Sequence, residues 1–307
     1  MKAITYAEYG DPSVLTLSDV PDPKVGPGEV LIRVRSASVN PVDWKIVAGY
    51  LDPMMNAELP AIPGWDVSGV VEKVGFDTPE FEVGDEVIAY ARKDWVHGGT
   101  YAELVTAPAR TVAKKPKALD WHQAAGLPLA GLTAYQLLTR LGTKAGDTVL
   151  VHAAAGGVGI LAVQIATSLG ARVIGTASEK NHEFLRGLGA EPVTYGDGLA
   201  ERVRGLAPDG VDVVADFVGG VLDTTKAVLA DGGRHGSVVE AEVLEEGGLY
   251  LWVRPNSDDL AALADLADAG KLTVPVADVF PLAQTADAFT TSAGGHVRGK
   301  VIIEVRS

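Results

Sequence analysis

The sequence predicts an α/β protein in two parts, a small β-barrel followed by a doubly wound parallel sheet. Two observations carry this. Up to about residue 120, Gly and Pro turns punctuate short β-rich runs, and twelve of the 17 prolines lie before residue 150. Short strands at that spacing suggest a closed or partly closed barrel. From Trp121 the texture changes to helix, then to alternating strand and helix, which implies a parallel sheet covered on both faces.

In the first part, Val30–Arg35, Val70–Val74, Val87–Tyr90, Tyr101–Thr106 and Thr111–Ala113 read as strands. In the second, strands are expected at Thr148–Val151, Arg172–Ala177, Pro192–Tyr195, Val211–Phe217, Gly236–Val239 and Leu249–Val253. Helices are expected at Asn181–Leu188, Leu199–Leu206 and Leu222–Ala230, and at Leu260–Ala269, capped by Asp258-Asp259 and ended by Gly270. The tail returns to β at Leu272–Val276, Val279-Phe280 and Lys300–Val305. The expected domains are therefore 1–120 with 271–307, discontinuous in sequence, and 121–270.

Composition narrows the function classes. A chain of 307 residues can hold two cores. The net charge of −14 argues against nucleic acid or an anionic membrane as partner. Cysteine is absent, so disulfides and thiolate metal sites are excluded. The first residues, Met1 to Glu8, lack the apolar core of a signal peptide, and the cytoplasm is the expected location. The apolar run Val149–Ala166 is interrupted by His152, Gln164 and glycines, so it reads as core and not as a membrane span.

That run holds the main motif. A buried strand leads into Ala153-x-x-Gly156-Gly157-x-Gly159, and apolar residues then recur at helical spacing through Val158, Leu161, Ala162 and Ile165. Strand, Gly turn and helix form the context in which such glycines mean dinucleotide binding. Small residues let the backbone approach a pyrophosphate, and the free N–H groups and dipole of the helix start stabilise its charge. His152, inside the motif, reads as a packed core or turn residue and not as a ligand.

Several stretches carry a resemblance: Asn40-Pro-Val-Asp-Trp-Lys45, Pro63-Gly-Trp-Asp-Val-Ser-Gly-Val70, Gly98-Gly-Thr-Tyr-Ala-Glu103 and Ala125–Ala134. Ala154-Ala155-Gly156-Gly157-Val158-Gly159, Asp216–Gly220 and His296–Lys300 extend it over essentially the whole chain. The chain resembles a zinc-free medium-chain dehydrogenase/reductase of the quinone oxidoreductase, zeta-crystallin-like branch. The resemblance implies a GroES-like barrel, a Rossmann domain, a cleft between them where nicotinamide meets substrate, and a homodimer.

Zinc alcohol dehydrogenases of this superfamily place Cys near position 40 and a His-Glu pair near 65. Here Asn40 and Trp65-Asp66 stand there, and tetrahedral zinc is not expected. Without a Lewis acid, the natural chemistry is reduction of an electron-poor acceptor, a quinone or a conjugated enone. The second strand ends in Thr176-Ala-Ser178, then Glu179 and Lys180. Ser178 and Lys180 suit the 2′-phosphate of NADPH, although Glu179 dissents and Lys180 also reads as a solvated helix-start charge.

The resemblance adds Tyr195 to the phosphate set. It places Thr133, Phe217, Val218, Gly219, Arg254 and Asn256 near nicotinamide and ribose, and Lys300 near the cofactor phosphates. It aims the loop with Asn40 and Asp43, both candidate catalytic residues, at the nicotinamide. Quinone reductases of this branch often carry a tyrosine where this chain has Trp44 and Lys45, a departure that resembles trans-acting enoyl reductases of polyketide assembly. Lys45 is a candidate proton donor, directly or through Tyr50. The rival reading pairs Lys45 with Asp43 or Asp66 and gives it only a structural role. The expected function is zinc-independent, NADPH-dependent reduction of a quinone or activated alkene. The alternatives are a pathway-specific enoyl or enone reductase and an NADPH-binding protein without turnover.

Overall fold

The computed structural model of the chain describes residues 1–295 and 297–306. His296, from the family-like run 296–300, and Ser307 lie outside the described residues. Two compact units are present: Met1–Leu132 with Pro255–Ser307, and Thr133–Arg254. Residues 121–132 and 255–270, grouped by sequence with the nucleotide domain, fall within the first of these units.

The first unit is built on the long strand Glu29–Val39. It pairs antiparallel with Asp66–Val74, Leu104–Pro108 and Lys300–Glu304. The register Val301↔Val39 to Glu304↔Ser36 brings the end of the chain onto its first long strand. Alternate residues Val30, Ile32 and Val34 point inward with Val67, Val71, Val87 and Val105, the period-two burial of a sheet with one buried face. The strand expected at Val279-Phe280 forms, over Val276–Pro281, whereas that expected at Leu272–Val276 is not formed before Val276. Pro275, which has no N–H for a ladder, delays the pairing, while its carbonyl accepts from Lys300 N–H at 2.9 Å.

The second unit is a parallel six-stranded sheet. Its order is Ala190–Val193, Arg172–Thr176, Thr148–Val151, Val211–Asp216, Leu229–Ser237 and Leu249–Tyr250. In sequence terms this is 3-2-1-4-5-6, the Rossmann order, with its reversal between Thr148–Val151 and Val211–Asp216. Val149, Leu150 and Val151 are fully buried, as expected of a central parallel strand covered on both faces. The helix Gly157–Ser168 buries every residue from Gly159 to Ala166, so packing rather than an amphipathic face holds it.

Candidate functional site

In the second unit, the chain leaves Val151 and enters a tight turn. Ala153 stands at φ 54°, the left-handed region that an alanine occupies at a steric cost. Its N–H donates to Thr176 Oγ1 at 3.0 Å, and the next N–H, of Ala154, donates to Thr176 O at 2.9 Å. Thr176 thus clamps the turn to the second strand. Gly156 caps the helix, which begins at Gly157. A Cβ on Gly159 would stand 2.2 Å from Ala153 O, so only glycine allows the helix to pass this close to the turn. The N–H groups of the first helical turn have no intrahelical partner. A pyrophosphate fits such a cradle.

At the neighbouring strand end, Asp216 shapes a second loop. Its Oδ1 accepts from Val218 N–H at 2.9 Å and Gly219 N–H at 3.0 Å, and its Oδ2 accepts from Ser237 Oγ at 2.6 Å. The structure therefore brings Ala155, Gly156, Gly157, Val158 and Gly159 into one turn and sets Phe217, Val218 and Gly219 on the loop after the adjacent strand. Both lie at the carboxyl edge beside the reversal of strand order, where open α/β sheets collect ligands. His152 is buried and its N–H donates to Ala215 O. Burial pulls its imidazole down to about 4, against the nearby Asp216 charge, so the ring is neutral at neutral pH.

Ser178 caps the short 3-10 turn Glu179–Asn181, with Lys180 exposed on it and Tyr195 exposed after the third strand. Thr133 is buried on the helix Pro128–Arg140. Arg254 has an exposed side chain, while Gln136 holds its backbone, accepting from its N–H at 3.0 Å and donating to its O at 2.9 Å. Two expected cofactor residues are otherwise engaged. Asn256, in the first unit, caps the helix Ser257–Asp268 by accepting from Asp259 N–H, so its oxygen is committed to that helix. Lys300 is 5% exposed in the first unit, where its Nζ donates to Asn40 Oδ1 and, at 3.4 Å, to Val39 O. Its ammonium is engaged in a buried cluster of side chains.

That cluster was not legible in the sequence. Asn40 stands between the two charges: its oxygen accepts from Lys300, and its Nδ2 donates to Asp66 Oδ2 at 2.9 Å. Asp66 also accepts from Ser38 Oγ and Leu129 N–H, both at 2.8 Å. Asp43 Oδ2 accepts from Asn40 N–H at 2.7 Å and Tyr101 Oη at 2.9 Å, while its Oδ1 is buried without a partner. The Tyr101 phenol has one proton for two acceptors, Asp43 and the Ser38 carbonyl 3.2 Å away. An Asp43 that keeps its own proton resolves this count. Burial, with the Asp66 charge adding to it, indeed pushes the Asp43 carboxyl up to about 7, against its hydrogen bonds and Lys300. Burial likewise raises Asp66 and lowers Lys300, each opposed by the other's charge.

Asp43 and Asn40 thus fix the start of the helix Pro41–Val47, which carries Trp44 and Lys45. Lys45 makes no ion pair with Asp43 or Asp66; its Nζ lies 5.5 Å from the Trp44 ring centroid. The acids' buried cation is Lys300, which corrects the pairing considered for Lys45. Tyr50 is 69% exposed. Thr176, Gln136, Asp216, Ser237 and Tyr101 were not singled out from sequence. Their one common signal is a polar side chain in an otherwise apolar stretch.

Two family models match the chain: "Alcohol dehydrogenase GroES-like domain" over residues 26–117 and "Zinc-binding dehydrogenase" over residues 188–303. An Arabidopsis thaliana protein named "NADPH-dependent alkenal/one oxidoreductase, chloroplastic" is 37% identical over 99% of this chain and 79% of its own. The chain belongs to the medium-chain dehydrogenase/reductase family, in its quinone oxidoreductase group. A "Chloroplast envelope quinone oxidoreductase homolog" from the same plant is 31% identical over 99% of this chain and 98% of its own. The quinone oxidoreductase structure from Coxiella burnetii superposes with a TM-score of 0.87 at 37% identity, covering 100% of this chain and 99% of that one. Within this medium-chain reductase the GroES-like part is the first unit and the Rossmann-type sheet is the second. No described helix is long and apolar enough to cross a membrane.

Proposed function

We propose that this medium-chain reductase uses NADPH to reduce quinones or activated alkenes, without zinc. The observation that carries the cofactor assignment is the 153–159 turn, whose clamped backbone and glycine-only approach fit a pyrophosphate. The acceptor class is supported by relatives named for quinones and for alkenals and enones. The chemistry a reduced nicotinamide supplies when bound is hydride donation to an electron-poor carbon. In this reading the residues of the turn and of the 217–219 loop bind and orient, Ser178, Lys180 and Tyr195 read the 2′-phosphate, and Arg254 and Thr133 border the cofactor.

Zinc independence is supported by the donor set, although one matching family model is named for zinc. Among the described residues no group of three or more His, Cys, Asp or Glu side chains could hold a metal ion. Asn40 and Asp66 stand where zinc relatives carry ligands, and the cation they meet is the Lys300 ammonium. Negative charge that develops on the acceptor oxygen needs a proton; Lys45 is assigned that role, with Tyr50 as the alternative donor. Homodimerisation and a cytoplasmic location are further parts of the proposal, checked by light scattering and by cell fractionation.

The deciding experiment is oxidation of NADPH and NADH against a panel of quinones, enones and enoyl thioesters, before and after exhaustive chelation, with products identified. We expect a preference for NADPH that Lys180→Ala lowers about ten- to a hundredfold in affinity, with NADH hardly affected. Equal losses for both cofactors remove Lys180 from phosphate recognition, and activity lost on chelation and regained with zinc overturns the metal-free reading. Enoyl thioesters preferred over every quinone and enone make this an enoyl reductase. Cofactor binding with no oxidation by any acceptor leaves a binding protein.

A further inference from the structure

The first unit contains a cavity of about 400 Å³ that neither the cofactor turn nor the Asp43–Asp66 cluster uses. Its volume lies in the range of small-molecule sites. Pro21, Leu59, Pro60, Ile62 and Leu104 supply apolar wall. Met1 and Lys93 also line it, and the Met1 ammonium is already paired with Asp22 at 3.2 Å. Lys93 is part-buried, and its Nζ donates to Thr106 Oγ1 at 3.3 Å. Thr106 thereby keeps its own hydroxyl proton for another acceptor. A Cβ on Gly98 would stand 3.2 Å from Lys93 Nζ, so the bare glycine leaves the ammonium room at the cavity wall.

Among the described residues none forms an ion pair with Lys93. Glu29, the nearest carboxylate by charge effect, accepts from Gly26 N–H at 2.8 Å, and Glu58 is exposed at the rim. Burial accordingly lowers the Lys93 ammonium from its ordinary range. His97 stacks on Trp95 with ring centroids 4.8 Å apart, and its Nδ1 lies 3.2 Å from Trp95 O, which can only accept. Burial and the Lys93 charge hold this ring neutral at neutral pH, so it adds no second cation. A single unpaired ammonium beside a free hydroxyl proton, in an apolar cavity, matches one negative charge on a hydrocarbon body. A dianion would leave excess negative charge in a chain of net charge −14.

We propose that this cavity binds a small monocarboxylate, its carboxylate held by the Lys93 ammonium and the Thr106 hydroxyl and its apolar body laid against the proline and leucine wall. The assignment is independent of the proposed reductase activity. Benzoate and hexanoate are the probes, titrated calorimetrically into the full chain beside benzamide and hexanamide, with and without saturating NADPH. The acids should bind with Kd on the order of 1 mM and the amides at least about tenfold more weakly. Lys93→Met should weaken the acids at least about tenfold and leave the amides and NADPH oxidation unchanged, whereas Lys93→Arg should retain acid binding within a few-fold. Equal binding of acid and amide, an unchanged Kd in Lys93→Met, loss of acid binding when NADPH is added, or no saturation by about 20 mM acid overturns the assignment.

Discussion

The glycine turn of the second unit and the buried cluster of the first are both organised around charge, and they handle it in opposite ways. The turn presents backbone N–H groups at a helix start, a fixed partial positive charge that awaits an anion. The cluster carries charged side chains and compensates them internally, with Asn40 bridging Lys300 to Asp66 and with burial pushing the Asp43 carboxyl toward its protonated form. The turn comes from one contiguous stretch plus Thr176. The cluster joins residues 38, 40, 43, 66, 101, 129 and 300. A site for a ligand's charge can be local, because the ligand completes it. A charge buried for good needs partners from wherever the fold can bring them.

The largest test of that contrast is Lys300→Met. It leaves Asp66 buried beside an amide whose oxygen has lost its cation, and the expected cost is about 3–5 kcal/mol. Lys300→Met combined with Asp66→Asn should recover much of it in urea unfolding. A single-variant loss under about 1 kcal/mol would mean that Lys300 does not compensate the acids.

Asp43 offers a pH test. Its folded value of about 7 lies above its ordinary 3.8, so the native state keeps a proton that the unfolded chain has released. Stability should therefore fall as pH rises from about 4 to about 7 and level off above, by roughly 4 kcal/mol at most from this group. Asp43→Asn imitates the protonated acid and should flatten that slope. Parallel curves for variant and wild type would place the bound proton elsewhere.

In the turn, Gly159→Ala sets a methyl against Ala153 O and Ala154 Cα. It should cost roughly 2–3 kcal/mol and depress NADPH affinity more than it depresses the stability of the first unit. Calorimetric titration with NADPH checks this, and undiminished affinity would show that the helix start does not hold the cofactor. The smallest effect has the opposite sign. Ala153→Gly relieves a left-handed alanine and should stabilise by about 0.5 kcal/mol after the unfolded-state entropy of glycine is subtracted. A destabilised Ala153→Gly would mean that the alanine methyl contributes packing worth more than its strain.

The sequence by itself determined the parts whose physics is local. Thr148–Val151, the small residues of 153–159 and the helix after them lie within one window, and period, turn chemistry and glycine placement decide them together. The alternation of strand and helix from Trp121 onward was enough for a parallel sheet, and the absence of cysteine removed thiolate metal chemistry. Elements whose limits depend on a partner were read less well. The strand at Val276–Pro281 starts only where Pro275 allows pairing with Lys300–Glu304, and Leu249–Val253 shortens to Leu249–Tyr250 because only those two residues pair with the neighbouring strand. Tertiary structure alone decided the role of Lys300, which lies some 260 residues from Asn40 and looks in sequence like a surface charge beside a glycine. It also placed Asp66 against the N–H of Leu129 and Lys45 beside the Trp44 ring. Burial, not residue type, converts an aspartate into a proton carrier or a lysine into an internal counter-ion, and burial is set by contacts that no window of sequence contains.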